Sequence, residues 1–182
     1  MSRPFLLQMA GAAGAGKTTL AFAIGKATGA VVIDKDIIKA GMLDSGVPEE
    51  VAGPAAYDVF LELGGSLLSQ GLSVVLDSPA NFTSIRDRGR AIAGDCGAEY
   101  YIIRCLLTDL DELQRRMDGR TIRSSQPRVA APETYVRPGP SPLREPHLAL
   151  DMSRPLNETL EQTLAYIGFA APLQQLTSRG QS

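Results

Sequence analysis

A glycine-rich segment near the start of the chain has the spacing of a phosphate-binding loop. The run from Gly11 to Thr18 reads GAAGAGKT and fits the pattern G-x-x-x-x-G-K-[ST] without a mismatch. Glycines allow backbone N–H groups to turn inward around phosphate oxygens, where a Cβ atom would clash. The lysine reaches the β- and γ-phosphates, and the threonine hydroxyl can bind Mg²⁺. We therefore expect ATP and Mg²⁺ to be bound here, with contacts from Gly11, Ala12, Ala13, Gly14, Ala15, Gly16, Lys17, Thr18 and Thr19.

Two aspartates follow the second predicted strand, at the point where it ends. The apolar run at residues 31–33 leads into Asp34 and Asp36. Because the ligand crevice of a parallel sheet lies at the carboxyl ends of its strands, we expect both carboxylates to contact the acceptor. Asp36 is the candidate base that takes the proton of an acceptor hydroxyl, with Asp34 as the alternative base. Asp36 could also cap the following helix, and the two roles are compatible.

A third aspartate, Asp77, ends the third predicted strand. It follows three aliphatic residues at 74–76, in a strand that we expect to lie next to the strand of the glycine-rich loop. A carboxylate in this position orients Mg²⁺ or its bound water, so we predict that Thr18 and Asp77 bind the metal. Asp77 also belongs to the substrate-binding set at the crevice. The alternative is that it caps a turn into the next helix.

Basic residues cluster at the end of the fifth predicted helix and beyond it. They are Arg115, Arg116, Arg120, Arg123 and Arg128. Arg116 and Arg120 are four residues apart and would share one face of a helix. We expect these two to contact the nucleotide and to act with Lys17 and Asp36 in catalysis, by neutralising charge on a transferring phosphoryl group. The alternative is a solvated helix end, where cations complement the helix dipole.

The acceptor is expected to lie between the second strand and a proline-rich loop. Lys39, one turn after Asp36, is predicted to stay near that carboxylate or to hold an anionic group of the acceptor. The helix predicted at residues 54–70 would wall the pocket, with Tyr57 and Asp58 as contacts. Six of the twelve prolines fall between residues 126 and 146, a composition that excludes helix and central strand. This loop, through Tyr135 and Arg137, is expected to cover the acceptor. The alternative is an ordinary long surface loop.

The elements that position these residues alternate between strand and helix. Strands are predicted at 5–9, 31–33, 72–76, 100–107 and 147–150, and helices at 17–28, 36–43, 54–70, 83–93, 109–117 and 156–167. Continuous apolar strands of this kind are typical of a parallel sheet that is buried on both faces. The fold class is therefore predicted as α/β, a three-layer α/β/α P-loop NTPase fold with a five-stranded parallel sheet and a small Arg-rich lid. We expect one domain over residues 1–182, with acceptor-side helices at about 36–70 and the lid and proline-rich loop at about 115–146.

Composition and charge exclude several other classes of protein. The chain has 182 residues, a net charge of −2 and one histidine, His147, so Ser-His-Asp catalysis and zinc chemistry lack the necessary residues. A pI of about 5.4 argues against a nucleic-acid-binding protein. No apolar run approaches the roughly 20 residues that span a bilayer, and the first residues do not have the pattern of a cleaved leader. We expect a cytoplasmic monomer or homodimer without a membrane partner. Motor proteins are longer, and the N-K-x-D motif of GTPases is absent.

Five segments together resemble one family of small kinases. They are Gly11–Thr18, the DIIK tetrapeptide at 36–39, the VVLD run that ends at Asp77, the Arg116-x-x-x-Arg120 pair and the sequence DMSRPLNET at 151–159. The chain resembles, over about residues 5–167, the AAA_33 / zeta-toxin-like group of P-loop kinases, which includes chloramphenicol phosphotransferase. It departs from the group at Lys39, where an arginine is usual, and at Lys35, where the residue is usually small.

The resemblance implies an ATP-dependent kinase that phosphorylates a hydroxyl of a small molecule, such as a natural product or an antibiotic. In this family the aspartate that aligns with Asp36 is the candidate base. The alternatives are a polynucleotide 5′-kinase, a toxin-like nucleotide-sugar kinase, and a non-catalytic regulatory module that binds ATP. Both departures from the family lie on the acceptor side, so they bear on the acceptor and leave the nucleotide site unchanged.

Overall fold

Five strands alternate with six helices in the residues that the structure describes. This computed structural model describes residues 3–78, 80, 82–118 and 143–169. The strands are β1 (Phe5–Gly11), β2 (Val31–Asp34), β3 (Val74–Asp77), β4 (Glu99–Leu106) and β5 (Leu148–Asp151). The helices are α1 (Lys17–Thr28), α2 (Lys35–Asp44), α3 (Glu49–Ser69), α4 (Thr83–Asp95), α5 (Leu110–Asp118) and α6 (Leu156–Tyr166). None of these helices is both long enough and apolar enough to cross a membrane.

The strands form one parallel sheet in the order β2-β3-β1-β4-β5. Side chains alternate between its two faces. Leu7 and Met9 of β1 and Val75 of β3 pack in a core with α1 and α6. Leu6 and Leu76 point the other way and pack in a second core with α3 and α4. The predicted three-layer α/β fold with a five-stranded parallel sheet is therefore confirmed.

The order of the strands places the candidate residues on the two sides of β1. The loop that follows β1 lies in the middle of the sheet. On one side lie β3 and β2, whose terminal residues Asp77 and Asp34 are paired in register. On the other side lie β4 and β5, which lead into α5 and α6. The ends of β1, β2 and β3 thus bring the glycine-rich loop and two aspartates to one edge, as the sequence predicts.

Two helices begin earlier than the sequence predicts. Helix α3 begins at Glu49, so the prediction that Pro54 starts it is wrong, and Pro54 lies inside the helix. Pro48 precedes the first turn, where Glu49 and Glu50 complement the helix dipole. Helix α2 begins at Lys35, because the preceding residue supplies the cap. Helix α1 has the predicted bounds, and the strands differ from prediction by one or two residues at their ends.

A buried polar group fixes helix α4 on the sheet. Gln8 Nε2 in β1 donates to the carbonyl oxygen of Ile85 at 3.2 Å. The Tyr100 hydroxyl in β4 lies within hydrogen-bonding distance of the Gln8 amide oxygen and, at 3.2 Å, of the Arg86 carbonyl oxygen. Gly89 of α4 lies against the same amide, since a Cβ atom there would be 2.6 Å from Gln8 Nε2. These contacts set the position of the helix that follows β3.

The Arg86 side chain ties the segment after β3 to the segment before β5. Its guanidinium is 1% exposed. Nε bonds Glu145 Oε1 at 2.9 Å, Nη1 donates to the carbonyl oxygen of Ala80 at 3.0 Å, and Nη2 donates to Thr83 Oγ1 at 3.2 Å. Because Ala80 comes three residues after Asp77, Arg86 helps to hold the chain at the carboxyl end of β3.

Candidate active site

The glycine-rich loop joins β1 to α1 through backbone conformations that favour glycine. Gly14 has a φ of 84°, and Gly16, at the N-terminus of α1, has a φ of 86°. Gly11 has a φ of 130°, and a Cβ atom on it would lie 2.3 Å from the carbonyl oxygen of Cys105 in β4. A side chain at Gly11 would therefore force the loop away from the sheet. The loop leads into a helix N-terminus, where the helix dipole favours an anion.

Lys17 is buried and its ammonium group lies against the start of the loop. Nζ donates to the carbonyl oxygens of Gly11 at 3.1 Å and Ala12 at 2.6 Å. A phosphate group in the loop would offer the same ammonium a charged acceptor, and hydrogen bonds between charged groups are stronger than those to neutral carbonyls. The arrangement therefore suits the predicted role of Lys17 in holding phosphate.

Thr18 and Asp77 lie close together across the gap between α1 and β3. The Thr18 hydroxyl lies near the Asp77 carboxylate. Burial raises the pKa of Asp77, and Asp34 and Asp36 raise it further, while the Thr18 hydroxyl and the charge of Lys17 oppose the rise. A buried carboxylate whose charge is only partly compensated is a ready ligand for a cation.

The residues present fit Mg²⁺. Magnesium usually takes one or two carboxylates together with substrate phosphates and water. Asp77 and Thr18 supply a carboxylate and a hydroxyl at the edge of the loop. The neighbouring Ser78 hydroxyl is buried and has no hydrogen-bond partner within the described ranges, so a bound group at this edge could use it. Among the described residues, no three His, Cys, Asp or Glu side chains are placed to hold a metal ion together.

Asp34 and Asp36 have different partners. The Asp34 carboxylate accepts a hydrogen bond from the backbone N–H of Asp36 at 2.8 Å and caps α2. The alternative that Asp36 caps this helix is therefore wrong. The Asp36 carboxylate instead pairs with Lys35 Nζ at 2.7 Å. Asp36 thus presents its carboxylate beside the crevice, in an ion pair with its neighbour.

Lys39 and Tyr57 lie on the same side of the crevice with separate contacts. Lys39 Nζ pairs with Glu49 Oε1 at 2.5 Å, so its ammonium contacts α3. The prediction that this ammonium stays near the Asp36 carboxylate is therefore wrong. The reason is tertiary, because α2 and α3 pack together and bring Glu49 within reach. The ring of Tyr57 lies under the Lys35 ammonium, 5.0 Å from it. Tyr57 therefore lies on the acceptor side.

A cavity of about 510 Å³ lies on the other side of the loop, toward β5. Its volume is within the range of pockets that hold small ligands. The walls come from the loop, the start of α1, the end of α5 and the segment between β5 and α6. The lining residues are Gly14, Gly16, Thr19, Arg116, Met152, Arg154, Leu156 and Thr159. The cavity is thus placed to hold the part of a nucleotide that extends beyond the loop.

Arg116 lies in the wall of this cavity and is held there by two contacts. Its Nε donates to Glu112 Oε1 at 2.7 Å, and both terminal nitrogens lie 3.4 Å from the carbonyl oxygen of Met152. Arg115 pairs with the other oxygen of Glu112 at 2.6 Å, but its side chain is 70% exposed against 35% for Arg116. One arginine of the pair therefore lines the cavity and the other faces solvent.

Several predicted site residues lie outside the described residues. They are Arg120, Tyr135 and Arg137, and most of the proline-rich loop lies there with them. The sequence reasoning assigned no site role to Met152, Arg154, Leu156 and Thr159. Leu156, the first residue of α6, is 41% exposed and lines the cavity. The sequence feature that could have identified these residues is the DMSRPLNET segment at 151–159, which carries part of the family resemblance.

Comparison of the sequence with protein families identifies one match. The family model described as "AAA_33: AAA domain" matches residues 6–135, more than half of the chain. No curated protein sequence matches the chain at a significant level.

Solved structures with similar folds include three kinases. An APS kinase of Mycobacterium tuberculosis, in complex with AMPPNP and APS, has a TM-score of 0.70 and 17% identity over 92% of this chain and 99% of its own. An unliganded sugar kinase from Janibacter sp. HTCC2649 has a TM-score of 0.63 and 18% identity over 93% and 96%. A gluconokinase from Sinorhizobium meliloti 1021 has a TM-score of 0.56 and 22% identity over 98% and 100%. These similarities confirm the predicted P-loop fold.

Arg116→Ala tests whether the cavity holds the nucleotide. Loss of the guanidinium removes a cation from the cavity wall, so we expect the Kd for Mg-AMPPNP to rise about tenfold, roughly 1.4 kcal/mol. Arg115→Ala is the matched control, because it removes a neighbouring solvent-facing arginine that pairs with the same Glu112. Its Kd should stay within about twofold of the wild type. Titration calorimetry measures both constants, and equal effects of the two variants would contradict the assignment of the cavity.

Asp77→Asn tests the cost of burying this carboxylate. The pKa of Asp77 is raised in the folded protein, so ionisation of this carboxyl favours the unfolded chain. The free energy of unfolding therefore falls as the pH rises above the pKa that the aspartate has in the unfolded chain. The amide keeps an acceptor for the Thr18 hydroxyl but carries no charge. We expect a higher Tm than wild type at pH 7 and no gain below about pH 4, where the carboxyl is protonated in both states.

The same variant should lose most of the Tm increase that Mg-AMPPNP gives the wild type, because ligand stabilisation follows affinity. Asp58→Asn, at an exposed position on α3, is the control and should change neither property. A lower Tm for Asp77→Asn at pH 7 would show that contacts with Thr18 and Lys17 outweigh the cost of burial.

Proposed function

We propose that this chain, which belongs to the AAA_33 family, is an ATP-dependent kinase that uses Mg²⁺ and phosphorylates a hydroxyl of a small molecule. The observation that carries the proposal is the division of the site by the central loop. A cavity lined by Arg116 and Met152 lies toward β5, and the aspartates lie toward β2. A sugar kinase, an APS kinase and a gluconokinase share the fold, which supports a small acceptor.

The nucleotide would lie across the loop with its nucleoside in the cavity. Gly14 and Gly16 leave room for phosphate oxygens, and the Lys17 ammonium exchanges its carbonyl partners for the β- and γ-phosphates. Thr18 and Asp77 would hold Mg²⁺, which neutralises part of the charge on those phosphates. These residues orient the γ-phosphate toward the aspartate side of the crevice.

Asp36 would act as the base on the acceptor. The acceptor oxygen forms a bond to the γ-phosphorus, the bond from that phosphorus to the β–γ bridging oxygen breaks, and ADP leaves. The proton of the hydroxyl passes to the Asp36 carboxylate, which lies at the mouth of the crevice. Asp34 is engaged as the cap of α2, so Asp36 is the better placed of the two. Arg116 and Arg120 would neutralise charge on the phosphoryl group.

One screen can distinguish between the possible classes of acceptor. ADP formation is measured with sugars, sugar acids, nucleosides, antibiotics that carry hydroxyls, nucleotide sugars and 5′-hydroxyl oligonucleotides, and products are identified by mass spectrometry. A phosphorylated small molecule supports the proposal and identifies the acceptor. A phosphorylated oligonucleotide or nucleotide sugar supports one of the two alternative kinases. ATP binding without ADP formation from any acceptor points to a regulatory module.

Lys17→Ala is the direct test of the nucleotide site. Without the ammonium, ADP formation should fall by a factor of about 10³ or more, while the Tm without ligand stays close to wild type. The upward shift of Tm on adding Mg-ATP should shrink. Lys26→Ala removes an exposed lysine from the last turn of the same helix and should leave both measurements unchanged. Undiminished turnover in the Lys17 variant would overturn the assignment.

Asp36→Asn tests the base. The amide keeps the shape of the side chain but cannot take a proton, so phosphorylation of the best acceptor in the screen should fall by about 10²–10⁴. Binding of Mg-ATP should persist, because Lys17, Thr18 and the loop are intact. Asp44→Asn, at the exposed end of α2, is the matched control. Full transfer by the Asp36 variant would move the base to Asp34, and loss of ATP binding would mean that Asp36 serves the metal.

A further inference from the structure

Lys35 is a cation held almost out of solvent at the acceptor side of the crevice. It begins α2, directly after the aspartate that caps the helix. Its side chain is 11% exposed, its ammonium pairs with Asp36 Oδ1 at 2.7 Å, and it lies 5.0 Å from the centre of the Tyr57 ring. Removal of an ammonium group from water is costly unless partners compensate for it. At Lys35, the Asp36 carboxylate and the Tyr57 ring provide this compensation.

The partners of Lys35 leave hydrogen-bonding capacity for a ligand. An ammonium group has three donors. In the described part of the chain, Lys35 has one hydrogen-bonding partner, the Asp36 carboxylate, and one aromatic face, Tyr57. Lys39, one turn later, differs because its ammonium is committed to Glu49 on α3. Of these two lysines, Lys35 is the one whose charge adjoins the candidate base.

The ion pair with Lys35 conflicts with the role of Asp36 as a base. Asp36 Oδ1 already accepts the Lys35 ammonium at 2.7 Å, so an acceptor hydroxyl would compete with that cation for the carboxylate. An anionic group that binds Lys35 would share or replace this contact and would free the Asp36 carboxylate for a hydroxyl on the same molecule. A neutral acceptor would leave the ion pair intact.

The surrounding charges make a cation necessary if the acceptor is an anion. Asp34 and Asp77 are paired in register at the ends of neighbouring strands, and Asp36 follows two residues after Asp34. Three carboxylates would repel an anion from this edge. Lys17 and Mg²⁺ would offset the charge at Asp77, and Lys35 offsets it at Asp36. Lys35 thus supplies the attraction on the acceptor side.

We propose that the acceptor carries a carboxylate or phosphate group beside the hydroxyl that is phosphorylated, and that Lys35 binds that anionic group over the ring of Tyr57. This inference rests on the proposed kinase function and specifies its substrate class. Binding of the anion releases Asp36, which then takes the proton of the hydroxyl as the oxygen bonds to the γ-phosphorus and ADP leaves. Lys35 is therefore a specificity-determining residue.

Matched acceptors test the proposal by kinetics. The pairs are D-gluconate with D-sorbitol, and glycerol 3-phosphate with glycerol, so that carboxylate and phosphate are distinguished. We expect the wild type to prefer the anionic member by about tenfold or more in kcat/KM. Lys35→Met should raise KM for the anionic member and remove the preference, while use of the neutral member stays equal or rises because Asp36 is unpaired. Lys35→Arg should retain part of the preference for the anionic member. Lys26→Met, the control at an exposed lysine of α1, should retain all of this preference.

A purely structural role for Lys35 predicts a different result, because both members of a pair would then lose activity together in Lys35→Met. That result, or a wild-type preference for the neutral members, would overturn the proposal. The Tm of each variant without ligand shows whether it is folded.

A binding measurement covers the case in which none of these compounds is phosphorylated. The chain has four lysines, so their ammonium groups can be followed by NMR after lysine-specific isotope labelling, with Lys35 assigned from its absence in Lys35→Met. With Mg-AMPPNP bound, gluconate or glycerol 3-phosphate should shift the Lys35 signal, and sorbitol and glycerol should not. Failure of Mg-AMPPNP to bind would refute the kinase assignment. Normal Mg-AMPPNP binding with no response of Lys35 to either anion would refute only the anionic acceptor.

Discussion

The parallel pairing of β1 with β3 on one side and β4 on the other is the constraint on which the site depends. Pairing with β4 brings the Cys105 carbonyl so close to Gly11 that no side chain fits between them, and this contact fixes where the loop leaves the sheet. Pairing with β3 places Asp77 beside the start of α1, within reach of the Thr18 hydroxyl. The loop therefore has a cavity on one side and carboxylates on the other because its strand is central.

Local patterns made the loop, helix α1 and the parallel sheet predictable from the sequence. Each depends on residues close together in the chain or on continuous apolar runs. Both kinds of pattern can be recognised without knowledge of tertiary contacts. The Lys39–Glu49 pair could not be predicted, because it depends on how α2 packs against α3. The start of α3 was missed because a proline is common in the first turn of a helix, whereas here Pro54 lies beyond it.

Arg86 is a charged residue whose tertiary surroundings also could not be predicted from the local sequence. Its sequence context, an arginine among polar residues of a helix, indicates a solvated face, yet the guanidinium is fully buried. Burial alone would raise the pKa of Glu145, but the hydrogen bonds and charge of Arg86 lower it, so the carboxylate stays ionised as a partner. Removing one member of such a pair commonly costs about 3–5 kcal/mol, because the other charge is left without compensation. The pair therefore holds the end of β3 against the entry to β5.

Lys35 and Lys39 show how one helix gives two similar side chains different functions. They are four residues apart and belong to the same face of α2. Glu49 engages Lys39 from α3 and so fixes the α2–α3 hairpin, while Lys35 has only its neighbour Asp36 and the Tyr57 ring within the described residues. Because Tyr57 belongs to α3, the Lys39–Glu49 pair also maintains the surroundings of Lys35. The structural lysine thus holds in place the aromatic face over which the other lysine can exchange one anionic partner for another.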